Sequence, residues 1–157
     1  MMQYWHECRI KYETQDEQGK LKRVSEAYLV DAMTYTEVEA RILKEQGNNM
    51  SGEYVISNIK RIRLAEVLPD PVNEDDPWFT LRYSMISVDE VSGKEKKKNY
   101  SSVIQADSCE KAIKRFDEYM NGSVSDYDIL AVSRSVIVSC YKMQTDATIT
   151  AQIESAE

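Results

Sequence analysis

The chain reads as an α+β protein made by internal duplication of a strand-strand-helix-strand unit, mainly antiparallel sheet with one helix per repeat. Three observations point there. The chain can be laid on itself at a nearly constant offset, which puts Trp5 on Trp78, Arg9 on Arg82, Gly19 on Gly93, Ala32 on Ala106, Arg41 on Arg115, Tyr54 on Tyr127 and Arg61 on Arg134. Each half opens with alternating apolar and polar residues, the period of a strand with one buried face. Each half then changes to helical spacing between a capping residue and a stop. The 157 residues, 42% hydrophobic and 30% charged, suit one ordinary domain or two small ones and have the balance of a folded chain.

In the first repeat, residues 1–68, Trp5 to Glu13 alternates. His6, Cys8, Ile10 and Tyr12 share the face that a helix would cover, and Trp5, Glu7, Arg9 and Lys11 share the other. A polar turn with Gly19 returns the chain as a strand over Val24 to Ala32, completing a hairpin. Thr34 with Glu37, and Thr36 with Glu39, have the spacing of a capping box. The helix they open places Val38, Ile42 and Leu43 on one stripe and stops at Gly47. Tyr54 to Val67, rich in β-branched and aromatic residues, is expected to be one long strand. Residues 69–77, PDPVNEDDP, form a linker in which three prolines forbid regular structure.

The second repeat, 78–142, follows the same plan. Strands are expected at Trp78 to Val88 and, after a turn at Gly93, at Tyr100 to Ala106. A helix from about Ser108 to Met120 aligns Ala112, Ile113, Phe116, Tyr119 and Met120 before the stop at Asn121-Gly122, and a last strand covers Asp126 to Tyr141. The segment 143–157 has no counterpart in the first half and is read as a C-terminal tail, short added helix or strand given to a partner.

The formal net charge of -7 sits outside the repeats: residues 1–68 carry 10 basic and 11 acidic side chains and 77–142 carry 10 and 9, whereas linker and tail hold only acids. Bases cluster where each hairpin turns, Lys20, Lys22 and Arg23 in one repeat and Lys94, Lys96, Lys97 and Lys98 in the other, a pattern that could straddle a phosphate backbone. The plainer account is that such lysines keep hairpins soluble and discourage edge pairing. No apolar run reaches the roughly 20 residues of a membrane helix, and no signal peptide is expected. Three widely spaced cysteines fit neither a disulfide framework nor a zinc site, so a reducing cytoplasm is the expected location.

Trp5 and Trp78, each followed four residues on by an arginine (Arg9, Arg82), are expected on an uncovered sheet face with Leu29 and Val103. Such a face must pack on the other repeat, on a second chain, or on a planar ligand whose phosphate Arg9, Arg82, Arg61 or Arg134 would hold. His6 is the sole histidine and reads as a core residue; with Cys8 it lacks a third metal ligand. The chain contains no phosphate-loop, dinucleotide, zincin or hydrolase-elbow pattern. No catalytic residue, metal or cofactor is therefore nominated, and a non-enzyme is expected.

The phrases MQYWHECRIKYE, EAYLVDAMTYTEVEARI, SGEYVISNIKRIR and DPWFTLRYSMISVDEVSGKEKKK resemble an uncharacterised family of about this length from Bacteroidetes and their phages. The resemblance spans nearly the whole chain up to Lys142. It implies a phage or mobile-element accessory protein and no mechanism. The expected function is thus a binding protein acting through protein partners or self-association. Alternatives are nucleic-acid binding through the basic hairpins, or sequestration of a small nucleotide-like ligand.

Overall fold

A computed structural model of the chain describes residues 4–47, 53–123 and 125–143. Within them the elements run β1 (Trp5–Gln15), β2 (Leu21–Asp31), α1 (Tyr35–Gln46), β3 (Tyr54–Ile62), β4 (Glu66–Leu68), β5 (Trp78–Val88), β6 (Glu95–Gln105), α2 (Cys109–Met120), β7 (Asp126–Arg134) and β8 (Ile137–Tyr141). The fold is mixed α+β and mostly sheet, with two four-stranded sheets ordered β3-β1-β2-β8 and β4-β6-β5-β7. The chain divides into two units, Met1–Ile62 with Cys140–Glu157, and Arg63–Ser139. The proposed tail beyond residue 143 lies outside the described residues.

In the first unit β1 is central and pairs antiparallel with β2 and β3. The hairpin turn forms because the Asp16 carboxylate accepts the N–H groups of Gln18 and Lys20 at 2.9 and 2.8 Å, while Gly19 takes φ 78°, a region that costs a side-chain-bearing residue dearly. Of the two candidate caps the chain uses Thr34, whose Oγ1 accepts from Glu37 N–H at 3.2 Å; Glu37 in turn accepts from Met33 N–H at 2.8 Å. The helix then lays Val38 and Ile42, both fully buried, on Cys8, Ile10, Tyr28, Val30 and Ala32. Leu43, expected on that stripe, is instead exposed, because the stripe follows the i, i+4 row.

In the second unit β5 is central between β6 and β7. The β5–β6 turn has Gly93 at φ 71°, with Gly93 N–H donating to Asp89 carbonyl oxygen at 2.8 Å. Ser108 caps α2 through a 3.3 Å bond from Lys111 N–H. Ala112 and Phe116 close the core on Phe79, Leu81, Tyr83 and Ile104. Phe116 rests against Tyr83 at 4.7 Å and edge-on to Tyr127 at 5.5 Å between ring centroids. Tyr119, also expected on the stripe, is exposed.

Each third strand carries a bulge opposite the middle of the central strand. Arg9 and Ile10 face Asn58 and Ile56, leaving Ser57 extra, and Arg82 and Tyr83 face Ala131 and Ile129, leaving Leu130 extra. Leu130 is 51% exposed, on the same parity as Asp126 and Asp128.

The long third strands expected at 54–67 and 126–141 are each two strands. β3 ends at Ile62, and the chain resumes as β4, which lies parallel to β6 in the other unit's sheet. β7 ends at Arg134, where Ser135 N–H donates to Trp78 carbonyl oxygen at 2.8 Å, and β8 continues beside β2. Each four-stranded sheet thus has a short edge strand, β8 in one and β4 in the other. Neither break carries a glycine or proline, so nothing local announces it.

Candidate functional site

The tryptophans are not on an open face. Trp5 is 2% and Trp78 3% exposed, and Leu29, Ala27 and Val103 on the same sides are buried with them, so neither indole offers a face to a planar ligand. The face away from the helix is thus packed at that end of each sheet, as such a face must be, and the planar-ligand alternative there is removed. Arg9 and Arg82 share their tryptophan's face but stand four residues along the strand, roughly 13 Å away. Both are exposed, and Arg9 is paired to Glu7 at 3.3 Å.

Arg61 lies opposite His6 and Arg134 opposite Phe79 in the ladders, hence on the helix side of each sheet, away from the tryptophans. The Arg61 guanidinium sits 3.7 Å over the Tyr4 ring. The structure therefore does not gather Trp5, Arg9 and Arg61, or Trp78, Arg82 and Arg134, into one site.

The basic residues occupy the opposite ends of the strands. Lys20 and Lys94 lie in the turns, Lys22 and Arg23 on β2, and Lys96, Lys97 and Lys98 on β6; all are exposed. The last three were expected in a loop before Tyr100, but β6 begins at Glu95, because pairing with Met85 to Val88 sustains the strand where its own pattern does not. Arg23 reaches Glu13 at 3.6 Å and Lys96 reaches Asp89 at 3.7 Å.

Both hairpins therefore continue as paired ribbons past the cores. From Gln15 to Arg23, and from Ser87 to Asn99 apart from half-buried Asp89, side chains of both parities are exposed. Leu21 at 67%, Val88 at 62% and Val91 at 97% exposure stand among the charges. The ribbons stay ordered by their turns: Asp89 accepts Val91 N–H at 2.9 Å, which, with the Ser92 N–H, holds its carboxyl below the usual carboxylate range. A groove of about 1100 Å³ runs along the first ribbon, lined among others by Lys11, Tyr12, Leu21, Arg23 and Val55.

Of the histidine and the three cysteines, His6 and Cys8 are buried, Cys140 is half-buried and Cys109 is exposed. His6 is buried, edge-on to Tyr35 at 5.5 Å, as the alternation predicts. Burial, reinforced by Glu39, pushes the Cys8 thiol up to about 11, and burial raises that of Cys140, so both stay protonated at neutral pH. Among the described residues no three His, Cys, Asp or Glu side chains group as a metal site.

Sequence reasoning missed the side chains that hold the crossing strands. Arg115 of α2 donates to the carbonyl oxygens of Gln105, Leu68 at 3.4 Å and Pro69 at 3.0 Å. In the first unit Arg41 donates to Lys142 carbonyl oxygen at 2.9 Å and lies over Tyr141. Gln105 accepts Asp70 N–H at 2.9 Å, and Asp31 accepts Met143 N–H at 3.4 Å. Glu66 of β4 accepts from Tyr83 at 2.8 Å and from Ser102; burial, then Glu66, raises the Tyr83 phenol. The match of Arg41 with Arg115 was the one available signal.

Fold and site together define a two-sheet α+β chain with a short edge strand on each sheet and an exposed hairpin ribbon in each unit. The chain belongs to the family described as "Domain of unknown function (DUF4494)", whose model matches residues 4–143. No curated protein and no solved structure matches it. None of the helices formed by the described residues is long and apolar enough to cross a membrane.

Proposed function

We propose that this chain is a non-enzymatic binding protein acting through protein partners or self-association, with its two hairpin ribbons as the contact elements. The observation that carries this is the exposure of both ribbon faces, apolar side chains included, beyond the point where the fold needs them. Exposed valines and leucine on an ordered ribbon supply contact area with little loss of backbone freedom on binding. The test is native mass spectrometry of the protein purified from its own host, beside a Leu21→Ser, Val88→Ser, Val91→Ser variant. We expect a stoichiometric protein partner or an oligomer that the variant loses, with stability unchanged within about 0.5 kcal/mol. A bound nucleotide, or a partner that the variant retains, overturns the assignment.

A second reading, nucleic-acid binding, draws on one observation: Lys96, Lys97 and Lys98 are exposed and have uncharged ladder partners, Ser87, Ile86 and Met85, with Lys96 also 3.7 Å from Asp89. It requires affinity for DNA or RNA that falls steeply with salt, with a slope that shrinks when these lysines are replaced by serine. The nucleotide-sequestration reading has lost its stacking platform with the burial of both tryptophans.

The two units are further proposed to descend from one duplicated unit. Supporting this are first and second strands of 11 residues, helices of 12 and third strands of 9 in both, matching bulges, and the pairing of Arg41 with Arg115. Family sequences in which these correspondences vanish would overturn it. A phage or mobile-element origin rests on the phrase resemblance, and a cytoplasmic location on free Cys8, Cys109 and Cys140.

A further inference from the structure

The outer edge of β6 is covered over only part of its length. β4 pairs with Ser102, Val103 and Ile104, and Ala65 N–H adds one bond to Ser101 carbonyl oxygen at 2.8 Å. β6 itself starts at Glu95. Strand residues of one parity direct their backbone groups to the same side, so Asn99, Lys97 and Glu95 point theirs where Ser101 does, and no described residue takes them up. The other side of β6 is paired with β5 in unbroken register from Glu95 to Gln105. What remains is an edge over Glu95–Tyr100 that no described residue pairs with, about 20 Å long at ~3.3 Å per residue.

Its charge is specific. Lys97 has no acidic partner among the described residues, Lys96 has only the 3.7 Å pair with Asp89, and Lys98 lies 5.4 Å from the Tyr100 ring. Lysines on an open edge repel an ordinary or basic strand, since pairing would crowd and desolvate them. For a strand bearing carboxylates the same lysines become cross-strand attractions. The edge is thus closed to generic pairing and open to one chemistry.

We propose that the β6 edge over Glu95–Tyr100 binds an extended acidic peptide segment as an added strand beside β6, in line with β4. Backbone groups of Lys97 and Asn99 supply the ladder, and Lys96, Lys97 and Lys98 select carboxylates. The proposal rests on the binding reading above and narrows its partner to an acidic segment.

The test is NMR titration of the full-length, isotope-labelled protein with a ten-residue peptide alternating glutamate and valine. Its controls are the same peptide N-methylated at alternate backbone positions, a lysine-valine counterpart, and a single-stranded oligonucleotide of similar charge. We expect amide shifts concentrated on Glu95–Tyr100. Affinity should fall at least about tenfold on N-methylation, and as much in the Lys96→Ser, Lys97→Ser, Lys98→Ser variant, because these lose the ladder and the charge pairing respectively. These side chains are exposed, so the variant keeps its fold, checked by an otherwise unchanged spectrum. A flat titration, or equal binding of the N-methylated peptide, overturns the proposal. Tighter binding of the oligonucleotide at the same lysines overturns it in favour of nucleic acid. A flat titration beside a cellular partner lost from the ribbon variant sinks the edge alone, whereas a partner retained by that variant sinks the ribbon reading itself.

Discussion

Replacing Phe116 by alanine is expected to destabilise the second unit by about 3–5 kcal/mol, the usual cost of emptying a fully buried aromatic site. The magnitude follows from what the ring touches. Phe116 is wholly inaccessible, sits at the centre of the α2 core cluster, and is tilted against Tyr83 and edge-on to Tyr127. Collapse of the surroundings is restrained. Tyr83 is held by its hydroxyl on Glu66, and Tyr127 donates to Asp117 at 2.7 Å, so neither ring moves freely into the gap. Thermal unfolding should show a loss of roughly 6–20 °C, at about 2–4 °C per kcal/mol for a chain of this size. Tyr119→Ala, one turn along the same helix on its exposed side, should shift the midpoint by no more than about 0.5 kcal/mol equivalent. Equal losses in the two variants would mean that α2 does not pack as described.

This pair of residues also shows how legible the fold was. Helical spacing put Ala112, Phe116 and Tyr119 on one stripe, and strand alternation put His6, Cys8 and Ile10 under a helix; the hairpins, caps and turn glycines were readable because each rests on a local rule. Tyr119 escaped because periodicity defines a face and not its width. The strand breaks at 63–65 and 135–136 were illegible for a deeper reason. Both segments continue a β-favouring run, and whether such a run stays in its sheet or crosses to another is decided by partners far away in sequence. Ala65 bonds Ser101, and Ser135 bonds Trp78. The tryptophans show the same limit: alternation placed them correctly on the face away from the helix, but burial of that face is tertiary. At the candidate site, the clusters of lysine were visible and their secondary structure was not. A lysine run has no apolar alternation, so its register with Met85 to Val88 is what reveals that it is strand, and among the described residues the short β4 stops before reaching it.

Replacing Arg115 by alanine is expected to cost about 3 kcal/mol, from loss of charge-assisted bonds to three backbone carbonyls whose acceptors are then left in a partly buried place. The effect should be local in origin. Arg115 ties α2 to the end of β6, to the last residue of β4 and to the first residue of the linker, so its loss frees the three-residue strand before it disturbs the β5–β6–β7 ladder. Hydrogen exchange distinguishes this from general weakening: the amides of Ala65 and Asp70, which donate to Ser101 and Gln105, should exchange on the order of a hundredfold faster, the equivalent of that free energy at about 1.4 kcal/mol per tenfold. Amides in the middle of β5 should change much less. Arg115→Lys keeps the charge but cannot span three acceptors, and should recover about half of the loss. Arg41→Ala is the matched comparison. Among the described residues Arg41 grips one carbonyl, that of Lys142, shares its charge with Glu45 at 2.8 Å and lies over Tyr141, so about 1–2 kcal/mol is expected, expressed at β8 and not at β4. If Arg115→Ala leaves Ala65 and Asp70 as protected as before, β4 is held by its ladder and by Glu66 alone, and the guanidinium is not what fastens the crossing strand.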